Sequence, residues 1–366
     1  MPIKKNETLI TPVVIQSIPI VPPIANPNAE YTKIYEGQLT NSFTTVNSKK
    51  KNHKEIQESN NDGEVKQKWL FDLNDINGGN VILSDPENNS LTMTSSQLLD
   101  IIAIKLTNTL PYKGSDQELA KHLDCVLSVE DYMRFRDITV RDEAVRQLKK
   151  DLRSLFNAST IATITYYVGK GKERKQLTEK LEIHYVDAIP KGQIKDYAHF
   201  RIGLSYARYL VHSQIMPYPL LILSASKNRN FYYVGKKLAT HYNMNKRKAN
   251  KESISVDSLL KYTPEIPSFE EEANRSRHYK QKCIEPLIKT LEEMVDKKFL
   301  TEWTIWHEKN TPLTEKELSE WKFTKDSGKK LYVHFKINNH PYDIENALIP
   351  DISVSESRKA VSISRK

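Results

Sequence analysis

Cysteine is nearly missing from this chain, with Cys125 and Cys283 the only two in 366 residues. Two thiols so far apart build neither a disulfide framework nor a cysteine-rich zinc site, which points to a reducing compartment, the cytoplasm. No apolar run reaches the roughly 18 residues a spanning helix requires, so no membrane partner is expected. Metal and nucleotide chemistry lack their motifs too: there is no His-x-His pair, no H-E-x-x-H, and no G-x-x-x-x-G-K-[S/T]. The one glycine-lysine cluster, Gly169-Lys170-Gly171-Lys172, has the wrong spacing for a phosphate-cradling loop. The expectation is a protein without metal, cofactor or catalytic residues. Lys4 and Lys5 precede an apolar stretch, but Pro12, Pro19, Pro22 and Pro23 break any helix there and Glu7 sits at its edge, so no secretion signal is expected.

Positive charge is plentiful. The net charge of +9 and pI near 9.1 favour a polyanionic partner. At 38% hydrophobic and 28% charged residues the chain has the composition of a water-soluble protein, long enough for two ordinary domains and tails. Residues 1–66 are proline-spotted, then rich in Asn, Ser and Lys, and read as a disordered arm, whose apolar island at 9–24 reads as idle disorder before it reads as a short extended peptide that docks on a partner. Domains are expected over 67–216 and 217–345, with a polar, basic, disordered tail over 346–366.

The stretch 273–300 joins two chemistries on what reads as one helical rod. Its front holds Arg275, Arg277, Lys280 and Lys282 with His278 and no acid; its rear repeats apolar residues at helical spacing. With Tyr279, Cys283, Leu287 and Leu291 on the buried side, Asn274, His278 and Gln281 face outward, flanked by Arg275 and Lys282. Such side chains suit base edges and phosphates. Pro286 should kink the rod.

A similar arrangement precedes it. Order is expected to begin near 69–71; after two β-like runs near 80–83 and 91–93, a helix from Thr94 or Ser95 carries Leu98, Leu99, Ile102 and Leu106 on one side. Ser115 and Glu118 form a capping-box pattern, and a short helix follows Ser128. The spacing predicts a helix over 141–156 with Val145, Leu148, Leu152 and Leu155 inward and Arg146, Lys149, Lys150 and Arg153 outward. A hairpin comes next, its tip bearing Lys170, Lys172, Arg174 and Lys175. A strand near 198–204 and a helix through Tyr206, Tyr209 and Leu210 close this unit.

The order then repeats. A helix with Phe231, Val234 and Leu238, a short helix capped by Ser255, and the 273–300 rod lead to strands near 300–306 and 330–337 around an inserted helix at 314–321. Helices, a basic helix face and a basic-tipped hairpin are the order of a winged helix, so the expected fold is α+β with two tandem winged-helix domains.

The runs 254–260 and 277–288, with their aromatic, basic, then Ile-Glu-Pro pattern ending Ile284-Glu285-Pro286, resemble the plasmid-type replication initiators (Rep proteins) with tandem winged-helix domains. The resemblance covers about 80–345. It implies binding to double-stranded origin repeats, local melting, and recruitment of the host initiator and replicative helicase, without covalent chemistry. It makes Arg275, His278, Gln281 and Lys282 the groove contacts of the second unit. A monomer–dimer equilibrium is compatible with it. The alternative is a winged-helix transcription regulator or a partition-type DNA adaptor, sharing the fold but not the melting step.

Overall fold

The computed structural model describes residues 30–36, 54–59, 65–72, 80–83, 92–111, 114–168, 175–189, 192–211, 213–224, 228–261, 263–307 and 311–341. The apolar island at 9–24, the wing-tip residues Lys170, Lys172 and Arg174, and the tail at 346–366 lie outside them. The described chain is mixed α and β, built of helices and small antiparallel sheets.

Its central element is helix α1, Met93–Thr109. Thr92 caps it, accepting from the Ser95 N–H, while the Ser95 hydroxyl accepts from the Thr92 N–H at 2.8 Å. The strand expected at 91–93 therefore gives way to a cap and a first helical turn. The expectation of a single buried side also falls short, because Gln97, Asp100, Ile101 and Ile104 are buried along with Leu98, Leu99, Ile102 and Leu106. A helix enclosed all round is an interior helix, and each fully buried Leu or Ile on it contributes about 1.5 to 3 kcal/mol.

Around α1 the first unit follows the sequence closely. Ser115 and Glu118 cap α2, Asp116–Leu119, reciprocally. Strand β5, Asp124–Ser128, leads into α3, Val129–Arg136, with Ser128 at its N-cap. Helix α4 spans Arg141–Phe156 and buries Ala144, Leu148, Leu152 and Leu155; Val145 is half-buried. The hairpin of β6, Ala158–Val168, and β7, Lys175–His184, extends a five-stranded sheet in the order β2-β3-β4-β6-β7, where β2 is Lys54–Ser59, β3 Val65–Asp72 and β4 Asn80–Leu83. Beyond it, β8 (Val186–Ala188) and β5 flank β9 (Tyr197–Ile202) in a separate three-stranded sheet. Gly203 follows β9, where a Cβ would fall 2.0 Å from the His184 carbonyl oxygen, so only glycine fits. Helix α5, Leu204–Val211, and strand β10, Gln214–Pro219, complete the unit.

The second unit begins with α6, Asn230–Asn245, and β11, Ser253–Ser255. Ser255 caps α7, Val256–Leu260, and Ser268 caps α8, Phe269–Ala273. A long helix follows, opening as a π turn over Lys280–Ile284 and continuing as α9, Glu285–Asp296. Strands β12, Leu300–His307, and β14, Leu331–Ile337, lie side by side in the order β11-β14-β12-β13; between them in sequence come β13 (Thr311–Pro312), α10 (Glu315–Glu320) and α11 (Ser327–Lys330). The two units thus repeat an order of elements but not a sheet. In the first, β5 pairs with β9 and the hairpin joins other strands; in the second, β11 and the hairpin share one sheet.

Two features tie the units together. Asp100 on α1 and Lys236 on α6 are both buried and 2.5 Å apart, and Asp100 also accepts from Tyr218 at 2.7 Å and Tyr232 at 2.9 Å. The second lies inside the expected arm. Tyr31–Glu36 forms β1, paired along its length with β10, and buries Ile34 and Tyr35. The neighbouring Tyr31 hydroxyl donates to the Asn338 carbonyl at 2.6 Å, and its ring meets His340 edge-on at 5.5 Å. This part of 1–66 is folded structure: Ile34 and Tyr35, adjacent and so on opposite faces of the strand, are both buried, and all six residues pair with β10.

Candidate nucleic-acid interface

In the first unit the candidate site is the outer face of α4. Arg146, Lys149, Lys150 and Arg153 are all exposed, opposite a buried face of Ala144, Leu148, Leu152 and Leu155. The helix is held from behind by polar contacts as well. Asp151, fully buried, accepts from Thr94 at 2.7 Å, Gln147 at 2.8 Å and Tyr132 at 2.8 Å. Burial raises its carboxyl pKa above the ordinary range, and these hydrogen bonds partly oppose the rise. A shallow groove of about 560 Å³ runs along the front of α4 between Arg141, Arg146, Lys149 and Lys195. Arg141 is held there by Asp196 at 2.5 Å. Lys175 is the first residue of β7, which places it at the tip end of the hairpin.

In the second unit the expected rod over 273–300 is broken at its front. Helix α8 stops at Ala273 with Asn274 as its C-cap, and the long helix starts only at Tyr279. Between them Arg277 adopts φ 60°, the left-handed region that no helix continues through. The organiser of this turn is Glu272. Its backbone carbonyl accepts from the N–H groups of Arg275 and Arg277, both at 3.1 Å. Its side chain accepts from the Ser276 hydroxyl and, at 3.0 Å, from the His278 N–H. Those hydrogen bonds, the Ser276 one above all, hold the carboxyl below the usual carboxylate range.

The buried side of the long helix is as the spacing indicated: Tyr279, Cys283, Leu287 and Leu291 are inward, with Tyr279 stacked on Phe269 at 5.6 Å. Burial pushes the Cys283 thiol up to about 12, so it behaves as an apolar core group. Pro286 does not stop the helix. The π turn ahead of it, closed by the Glu285 N–H donating to the Lys280 carbonyl, shifts the backbone where the proline ring would crowd the preceding turn.

The structure therefore leaves His278, Gln281 and Lys282 all exposed, His278 just ahead of the long helix, where its carbonyl accepts from the Lys282 N–H at 2.9 Å, and Gln281 and Lys282 on the first turn. Asn274 and Arg275 are exposed too, but on the turn before it, so they do not share the helical face expected of them. Lys280 is drawn aside, its ammonium donating to the Ser319 carbonyl at 3.3 Å. Sequence reasoning missed one basic run, Lys246, Arg247 and Lys248, all exposed just beyond α6; the N-K-R-K string itself was the available signal. Among the described residues no group of His, Cys, Asp and Glu could hold a metal ion, and no helix is long and apolar enough to cross a membrane.

No protein-family model matches the chain, and no curated protein matches it. Among solved structures it is similar to the crystal structure of RctB domains 2–3 (RctB 155–483), at 11% identity and a TM-score of 0.38, covering 81% of this chain and 94% of that one. The selenomethionine form of RctB domains 2 and 3 is similar at 9% identity and a TM-score of 0.37, covering 80% and 98% respectively.

Proposed function

We propose that this chain is a sequence-specific double-stranded DNA-binding replication initiator made of two winged-helix units. The observation that carries this reading is α4, packed on one face and basic on the other and followed at once by the β6–β7 hairpin, with a related order in the second unit, where exposed polar residues at the front of the long helix precede β12 and β14. In the first unit the outward face offers Arg146, Lys149, Lys150 and Arg153; in the second, His278, Gln281 and Lys282. A helix of this kind enters a major groove with its charged side chains on phosphates and its amide and imidazole groups on base edges. The Rep-like run at 277–288 supports an initiator in particular, acting at origin direct repeats by binding and local melting and recruiting host initiator and helicase. No cofactor and no covalent step are part of the proposal.

The two faces differ in side chains, so one chain should read an asymmetric site covering two successive grooves, with half-sites about 10 to 10.5 bp apart. Selection from randomised duplex DNA with the purified protein, followed by footprinting, checks this. The expected product is a non-palindromic site occupied by one chain, found as direct repeats beside the gene. A palindrome held by a symmetric dimer would overturn it in favour of a transcription regulator.

A further inference from the structure

The sheet of the second unit has an open edge with a groove beside it. On β12, the Ile305 carbonyl accepts from the Leu313 N–H at 2.9 Å, and β13 pairs only with Trp306 and His307. Alternation along an antiparallel strand turns the Trp303 N–H and carbonyl toward the same edge. Among the described residues no strand pairs with that part of it. The adjoining groove, about 530 Å³, is floored by Ile284, Ile288, Trp303, Leu313 and Leu318. Its rim carries Glu285, Glu292 and Glu315, against Lys280 as the one cation among the lining residues.

An occupant of this place needs backbone groups for the edge, alternate apolar side chains for the floor, and positive charge for the rim. Residues 358–366, Arg-Lys-Ala-Val-Ser-Ile-Ser-Arg-Lys, supply all three. As a strand they put Lys359, Val361, Ile363 and Arg365 on one face, and the small Ala360, Ser362 and Ser364 on the other. The apolar pair matches the floor and the cations beside it match the glutamates. The tether is long enough. Described structure ends at Pro341, just past the point where the Asn338 N–H donates to the Phe299 carbonyl at 3.0 Å, at the start of β12. Residues 342–357 can span roughly 50 Å when extended, about twice the ~26 Å length of an eight-residue strand such as β12.

We propose that residues 358–366 of the same chain add as a further strand on the β12 edge, seating Val361 and Ile363 in the groove. This is an intramolecular form of strand addition, and it does not rest on the DNA-binding reading. Hydrogen exchange on the full chain tests it. The Trp303 amide should exchange about tenfold faster after Val361→Asp with Ile363→Asp, and equally so after Leu318→Arg in the groove. A labelled synthetic peptide of residues 355–366 should then bind the Val361→Asp/Ile363→Asp chain at least about tenfold more tightly than the parent, whose own segment competes at high effective concentration. Unchanged exchange in both variants would overturn the proposal, as would equal binding of a peptide carrying the two aspartates. Protection of Trp303 that grows with protein concentration would overturn it too, since the occupant would then be the segment of a second copy.

Discussion

His278 illustrates how one residue can be fixed and free at once. Its backbone N–H is taken by Glu272, while its ring stays exposed beside Gln281 and Lys282. Changing the ring should therefore leave the turn in place and affect only what the ring meets. His278→Ala with Gln281→Ala is expected to cost roughly 1 to 3 kcal/mol on the selected site and much less on random duplex; filter binding on both DNAs checks it, and equal losses would make these residues backbone contacts. Glu272 is the complementary case. Its pKa is lower folded than unfolded, so its stabilisation is fully present above the ordinary carboxylate pKa of about 4.3 and is lost as pH falls through the lower, folded value. Glu272→Gln should accordingly lower stability at neutral pH by roughly 1 to 3 kcal/mol, with the gap to the parent closing in acid. Urea denaturation at several pH values measures this, and a gap that persists unchanged in acid would refute it.

At the scale of elements, the sequence is most legible where a local rule decides. Ser115, Ser128 and Ser255 mark helix starts because a side-chain oxygen answers an N–H three residues on, and helix α4 has its expected limits, 141–156. It is least legible at 274–278, where a basic run without apolar punctuation reads as helix but is a turn, set by the contacts of Glu272 and the left-handed Arg277. The π turn is hidden as well, since Pro286 announces a disturbance but not its form. The β6–β7 hairpin was expected with its basic tip, and this leads to a prediction about DNA. Changing Lys170, Lys172, Arg174 and Lys175 together to Ala should weaken binding on all sequences alike and reduce the slope of log affinity against log salt by about 3 to 4, as phosphate contacts do. Salt titrations on selected and random DNA read both effects; a collapse of discrimination instead would make the wing a base reader.

For the whole molecule, what the sequence hid is long-range. Asp100 and Lys236 stand 136 positions apart, and no spacing rule links them. Strand β1 is likewise a short run with no period-two alternation, in a polar region, recognisable only once β10 and Asn338 are beside it. Lys236→Met should cost about 3 to 5 kcal/mol, because it leaves the Asp100 carboxylate buried without its cation. Adding Asp100→Leu should recover part of that loss, the test being a comparison of urea midpoints for the single and double variants; a double variant weaker than the single would show the pair is not the reason.

The shared interior has a consequence for how far the second half can be replaced. Residues 217–345 cannot be exchanged as a cassette, since the incoming segment would lack Lys236, Tyr218 and Tyr232 and leave Asp100 and the α1 interior facing an unmatched surface. On the proposed function, new specificity would come one exposed side chain at a time, from positions such as 278 and 281, while the seam between the halves stays as it is.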